Sequence, residues 1–190
     1  DFMKFLYDRG NGADLRDTEA LMAGAFGPCR LGKYALEQAR ILKQLGFNLT
    51  IRTTVSNNAY TDLGLGLEFE RLAWRGIVAF DYLEKLARRT RPYEKVAGAA
   101  DELFDYYTAV VLDHIRKRQA LNEVLRQATA EFERLLRPAP RRPLVGINGE
   151  IFLRSNRFSN CDLVKVCEAA GLEVVVSPQG EWLKYITQRS

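Results

Sequence analysis

Histidine is almost absent: His114 is the only one in 190 residues. That leaves little room for imidazole-based acid–base chemistry or for a His-rich metal site. His114 itself falls on the apolar seam of a helical pattern, where packing is the expected role. Cysteine is sparse too, with Cys29, Cys161 and Cys167 and no Cys-x-x-Cys. Cys161 and Cys167 are six apart, which matches neither an i,i+3 nor an i,i+4 helix pair, so they are not expected to share a metal. An odd cysteine count without a charged-then-apolar leader points to a reducing, cytoplasmic compartment. No apolar run approaches membrane-span length, so no membrane partner is expected. The formal charge of +4 is mild, and Lys and Arg are interleaved with Asp and Glu. Without a basic face carrying aromatics, nucleic acid is not an expected partner. Leu63-Gly64-Leu65-Gly66 lacks a third glycine and a preceding strand, and no Walker-type loop is present, so no nucleotide fingerprint stands.

What is present is enough apolar residue, 47% of the chain, for a real core in one large domain or two small ones. The start at Asp1-Phe2-Met3 falls in mid-pattern and reads as a piece of a longer polypeptide. Residues 2–7 are apolar and fit a strand or a helix; residues 8–17 and 56–66 read as loops. Residues 29–45 form an amphipathic pattern stopped by Gly46. Residues 47–55 are β-branched and read as a strand. Residues 68–90 are helical up to Arg91-Pro92. Residues 99–136 carry a near 4,3 seam (Leu103, Tyr107, Val110, His114, Leu121, Val124, Ala128, Phe132, Leu135), interrupted at Lys117, and fit one long helix or two broken near residues 116–118. Arg137 to Pro143 is a proline-rich linker. Residues 144–153 read as a buried strand, Ser159-x-x-Asp162 as a capping box for a helix at 161–170, residues 172–176 as a second strand, and 180–189 as a helix. Strand, helix and strand of this length predict a parallel βαβ unit. The fold class expected is α/β: a Rossmann-like parallel sheet from residues 1–65 and 138–190, with a helical insertion at 66–137.

Two places carry candidate chemistry. The first is Gly27-Pro28-Cys29-Arg30-Leu31-Gly32-Lys33-Tyr34. Pro28 and the apolar spacing from Leu31 put Cys29 in the first helical turn, where the helix dipole, Arg30 and Lys33 favour a thiolate. A thiolate binds iron or zinc, or attacks electrophiles; the bland alternative is a small residue at a tight helix start. The second is the stretch 149–160, after one strand and before a helix N-terminus, the edge at which open α/β sheets bind ligands. Glu150, Arg154, Asn156 and Asn160 concentrate polar groups there, either for a ligand or merely to cap and turn the chain.

These motifs are similar to those of a known family. The 27–34 segment resembles the Gly-Pro-Cys-Arg-Phe-Gly-Gln-Tyr motif of the large acyl-CoA dehydratase activase proteins, relatives of 2-hydroxyglutaryl-CoA dehydratase and its activator. Arg91-Pro92-Tyr93-Glu94 before Gly98, Gly149-Glu150-Ile151-Phe152-Leu153-Arg154 with Asn156 and Phe158-Ser159-Asn160, and Ser177-Pro178 with Glu181-Trp182 resemble three further segments in the same order. Leu31 and Lys33 replace Phe and Gln, Ser155 and Arg157 replace Phe and Pro, and Cys161 stands in place of Asn.

The resemblance implies a cytoplasmic iron–sulfur protein of anaerobic metabolism. This chain would belong to its dehydratase-like region. The [4Fe-4S] or related cluster and an ATP-binding activator module would belong to the parent protein, and an acyl-CoA would be a possible substrate. Cys29 would be one cluster ligand, Arg30 and Lys33 would offset the cluster's charge, and Glu150, Arg154, Asn156 and Asn160 would shape the adjoining pocket. No activity is expected of the piece alone. The alternative reading is a non-catalytic docking or scaffold module, with the helical insertion holding a partner.

Overall fold

The computed structural model describes Phe5, Leu6, Asp8, Leu15 and residues 17–25, 29–54 and 66–187. Phe5 and Leu6 are helical, one of the two alternatives for residues 2–7, and Asp8 and Gly66, at the edges of the expected loops, are helical too; the rest of residues 2–7, most of the 8–17 loop and residues 56–65 lie outside the described residues. The protein is mixed α/β with parallel strands, and the chain divides after Leu67 into two compact units.

The first unit is a β–α–β segment: β1 (Glu19–Ala23), α1 (Leu31–Gln44) and β2 (Thr50–Thr54). β1 and β2 pair in parallel, Glu19 opposite Thr50 and Ala23 opposite Thr54. The α1 face that buries Leu31, Ala35 and Leu42 has the 4,7 spacing of one helical stripe. Its end is a Schellman turn: Gly46 takes φ +82°, its N–H donates to Lys43 O at 3.1 Å, and Phe47 N–H donates to Leu42 O at 2.9 Å. Leu6, Ala20, Leu42 and Leu49 form the core here.

The second unit begins with three helices, α2 (Gly66–Thr90), α3 (Ala99–Arg116) and α4 (Asn122–Leu135). Ala79, Leu83 and Ala87 of α2 pack with Ala100, Tyr107 and Val111 of α3 and Val124, Ala128 and Phe132 of α4. The small alanines let the helix axes approach, and the large residues fill the space between. The 99–136 pattern is two helices. Lys117 caps α3, Arg118 takes φ +58°, and Gln119 N–H donates back to His114 O at 2.8 Å. His114 is half-buried, with Nδ1 3.0 Å from Val110 O.

Then follow β3 (Leu144–Ile147), α5 (Ile151–Ser155), α6 (Leu163–Ala169), β4 (Glu173–Val176) and α7 (Gln179–Thr187). β3 and β4 are parallel neighbours, Leu144 opposite Glu173 and Ile147 opposite Val176, as the apolar strand, helix, glycine and strand pattern predicts. Three boundaries differ from the sequence expectation. β3 stops at Ile147 and residues 151–153 are helical, because Gly149 turns the chain at φ +124° and the Glu150 carboxylate accepts the N–H groups of Phe152 and Leu153. The helix expected at 161–170 starts at Leu163, because Cys161 and Asp162 both take left-handed φ. Ser159 provides no cap; Asn160 Oδ1 accepts Leu163 N–H at 3.2 Å instead.

By their contacts, residues 138–189 group with the helices. The Arg-Pro-Tyr-Glu segment is a physical reason. Arg91 clasps Glu168 of α6 through Nε and Nη2 at 2.8 and 2.7 Å. The Tyr93 hydroxyl donates to Glu173 at 2.8 Å and accepts Arg142 N–H at 2.9 Å. Glu94 accepts the Gly98 and Ala100 N–H groups, both at 2.8 Å, and so caps α3. From α2, the Asp81 carboxylate accepts Gln179 and Gly180 N–H at 2.9 and 2.7 Å and caps α7. Arg91, Tyr93 and the distant Asp81 carboxylate thereby fasten the helices to the β3–β4 layer. No described helix is long and apolar enough to cross a membrane.

Candidate functional site

Cys29 and the 149–160 stretch fall in different units, and each is described in its own. Cys29 lies on the connection that leaves the carboxyl end of β1 and enters α1. It precedes the helix: α1 begins at Leu31 with Arg30 as its cap residue, so Cys29 is not in the first turn. Its carbonyl accepts Gly32 N–H at 3.2 Å, and Cys29, Arg30 and Lys33 are exposed. The glycine at 32 has a steric reason. A Cβ there would collide with the Ala25 carbonyl oxygen, because the segment after β1 passes directly against the first turn of α1. Cys29 itself is exposed.

A cluster needs about four ligands. Among the described residues no set of three or more His, Cys, Asp or Glu side chains is arranged to hold a metal ion. Cys161 and Cys167 belong to the other unit. The donors described fit one ligand and no complete site. Cys161 is exposed like Cys29, whereas Cys167 on α6 is half-buried. Iodoacetamide alkylation followed by mass spectrometry should accordingly label Cys29 and Cys161 well ahead of Cys167. Labelling of Cys167 first would contradict the burial.

The second unit holds a cleft of about 510 Å³. Val176 and Ser177, at the carboxyl end of β4, line it together with Arg154, Ser155 and Asn160 from the connection after β3. The opposite wall comes from α2 and α3, with Phe80, Phe104 and Ile77 as its apolar part. This is the edge of a parallel sheet at which α/β proteins bind ligands.

Its charges are mostly matched. Arg88 pairs with Glu84 at 2.7 Å, Arg91 with Asp101 at 3.2 Å, Lys165 with Asp101, and Arg157 with Asp162. Burial alone would raise the Asp101 carboxyl, but the Lys165 hydrogen bond and the Arg91 charge outweigh it and hold it below the usual range. Burial likewise disfavours the charged form of Arg91, yet its bonds to Glu168 and Asp101 raise it further.

The four candidates on this stretch separate by role. Glu150 caps α5. Asn156 Oδ1 accepts Ser159 N–H at 2.8 Å and closes a turn. Asn160 lines the cleft and also braces its wall, donating to the Leu153 and Arg154 carbonyls at 2.8 and 3.2 Å. Arg154 is different. Nη1 donates to Gly149 O at 3.0 Å, while Nε is buried with no partner. A buried donor without an acceptor is costly unless something fills it. Arg154 therefore lines the cleft while its Nε is enclosed by the protein without an acceptor.

Sequence reasoning missed Asp81, Asp101 and Lys165, which line the cleft, and Glu168, which holds Arg91, because the contacts that join them to the other elements span 64 to 99 residues of chain. Arg-Pro-Tyr-Glu was the available signal. The cleft lining contains no histidine or cysteine. The arrangement presents matched charges, two serines and an apolar wall to whatever enters the cleft. No family model, curated protein or solved structure matches the chain.

Proposed function

We propose that this chain is a module of a larger iron–sulfur protein related to the acyl-CoA dehydratase activases, with a part in ATP-dependent low-potential electron transfer. The observation that carries the reading is convergence. Arg91, Arg154 with Asn160, and Ser177 come from three separate segments of the family resemblance, and all line one cleft at the carboxyl ends of β3 and β4. Three segments that the resemblance marks out separately thus contribute to a single concave surface. The two parallel strand pairs then belong to Rossmann-like domains, and the cleft receives the organic substrate, for which an acyl-CoA is the class the resemblance implies.

Cys29 supplies one cluster ligand from its exposed turn. The remaining ligands come from other polypeptide, with Arg30 and Lys33 offsetting negative charge nearby. The partners are the rest of the parent protein, including an ATP-binding activator module, in the cytoplasm. A cluster would supply the electron transfer; this chain's own residues bind, orient and position.

Anaerobic incubation with iron and sulfide tests the reading. A brown chromophore should form in the presence of the parent protein's other cysteine-bearing segments and should be lost in Cys29→Ala. A chromophore of unchanged intensity in Cys29→Ala would remove the ligand assignment. A colourless protein that binds an activator partner would favour the docking module instead.

A further inference from the structure

We propose that a second groove in residues 68–189, separate from the cleft, binds a phosphate monoester that carries a flat apolar group. The groove has a volume of about 460 Å³, within the range of small-ligand sites. It lies on another face of α2, between that helix, the last turn of α4 and the 137–141 linker, and reaches Glu173 at the amino end of β4. It is therefore at the opposite end of the strands from the cleft, and the proposal does not depend on the iron–sulfur reading.

Three observations carry it. Lys85, Arg89, Arg137 and Arg141 all line the groove and are exposed. None of these side chains takes part in an ion pair among the described residues. What sets these four apart from other unpaired surface cations is that they line one groove together.

The lining has only two acids to set against them, Glu133 and Glu173. Glu173 already accepts the Tyr93 hydroxyl. Cations held close together without counter-charge repel one another, and an anion relieves that repulsion.

The floor, finally, is an aromatic ring beside a threonine. Phe132 is 1% exposed and Thr90 3% exposed. Tyr82 and Tyr93 stand at the sides, Tyr82 fixed by its hydrogen bond to Thr129 at 2.8 Å. Thr90 lines the groove as well.

A phosphate dianion presents three acceptor oxygens, enough to engage several guanidinium forks and a hydroxyl at once, which one carboxylate cannot do. The aromatic sides suit a flat group beyond it.

Phenyl phosphate is the probe, titrated into the full chain by calorimetry and by amide chemical shifts around Thr90 and Phe132. Saturable binding is expected, weaker for inorganic phosphate and absent for phenol. Arg89→Gln with Arg137→Gln should weaken it at least roughly tenfold, the worth of one charge-assisted hydrogen bond. The thermal midpoint should stay unchanged, since both side chains are exposed. Arg126→Gln, outside the groove, should bind like the parent. No saturable binding, or equal weakening in the Arg126→Gln control, would overturn the proposal. A heptaglutamate peptide that binds more tightly and displaces phenyl phosphate would also overturn it, by making the groove a docking site for an acidic segment.

Discussion

Val111→Asp should abolish the cooperative unfolding transition of residues 68–189, or lower its stability by several kcal/mol. Val111 is 0% exposed, in contact with the core built from α2, α3 and α4. An aspartate there must either bury an unpaired charge or take up a proton to avoid it, and both outcomes work against folding. A domain of this size has only about 5–15 kcal/mol to lose. The neighbouring substitution Val110→Asp is the internal control. Val110 lies on the sequence seam but is only half-buried, so its carboxylate can reach water and the loss should be much smaller. Both tryptophans of the chain, Trp74 and Trp182, lie in this unit, so intrinsic fluorescence during urea unfolding reports it without interference. Equal midpoints for the two variants would refute the packing. Phe132→Ala, which removes the largest fully buried side chain, should cost about 3–5 kcal/mol by the same readout.

The contrast between Val110 and Val111 shows what periodicity conveys. A 4,3 seam marks the buried face of a helix to within about one residue, and it marked α3 and α4 in that sense. Where the pattern stumbled, at Lys117, the chain does break, since no apolar residue there holds the two segments in one line. The β3–β4 pair was legible because its signals are local: an apolar run, a helix closed by Gly171, and a second apolar run. β1 was not. Glu-Ala-Leu-Met-Ala is made of helix formers, and it is a strand because β2 offers it a parallel ladder. The expected strand through residue 153 failed for a related reason. Ile151, Phe152 and Leu153 are apolar enough for a strand, but Glu150 caps their N–H groups into a helical turn.

The site was legible in its residues more than in their roles. Polar side chains after a strand end drew attention to Glu150, Arg154, Asn156 and Asn160. Two of them turned out to cap or turn the local chain and a third to brace the cleft wall, which short-range chemistry allows but spacing cannot rank. Arg154 stands apart only because of a buried Nε, a property of three-dimensional packing. The basic groove was illegible altogether. Lys85, Arg89, Arg137 and Arg141 look like ordinary solvated charges in the sequence, and only the fold brings the linker beside α2.

Arg91→Ala should be the most damaging single change at the junction between the helices and the β3–β4 layer. The Arg91 and Glu168 side chains are 14% and 9% exposed, and their N–O contact is 2.7 Å. Removing the guanidinium leaves Glu168 nearly buried with no counter-charge, a loss of about 3–5 kcal/mol for comparable pairs. Arg91→Lys keeps the charge but not the two-pronged geometry, so it should recover only part of that. The double replacement Arg91→Met with Glu168→Leu should recover most of it, because the pair's worth lies largely in not stranding one partner.

The acid limb adds an independent readout. Asp101 is held below the ordinary carboxylate range in the folded protein, with Arg91 among the causes. A depressed folded value contributes stability at pH above the unfolded value of about 3.9, and that contribution disappears as pH falls through the folded value. Without Arg91 the depression shrinks, although Lys165 remains. The Arg91→Met, Glu168→Leu variant should therefore lose less stability than the parent as pH falls below about 4, while matching it more closely near neutral pH. Tryptophan-detected urea unfolding across that range gives both quantities from one series. A single Arg91→Ala variant with a parent-like midpoint at neutral pH would show that the junction is held by something other than this ion pair.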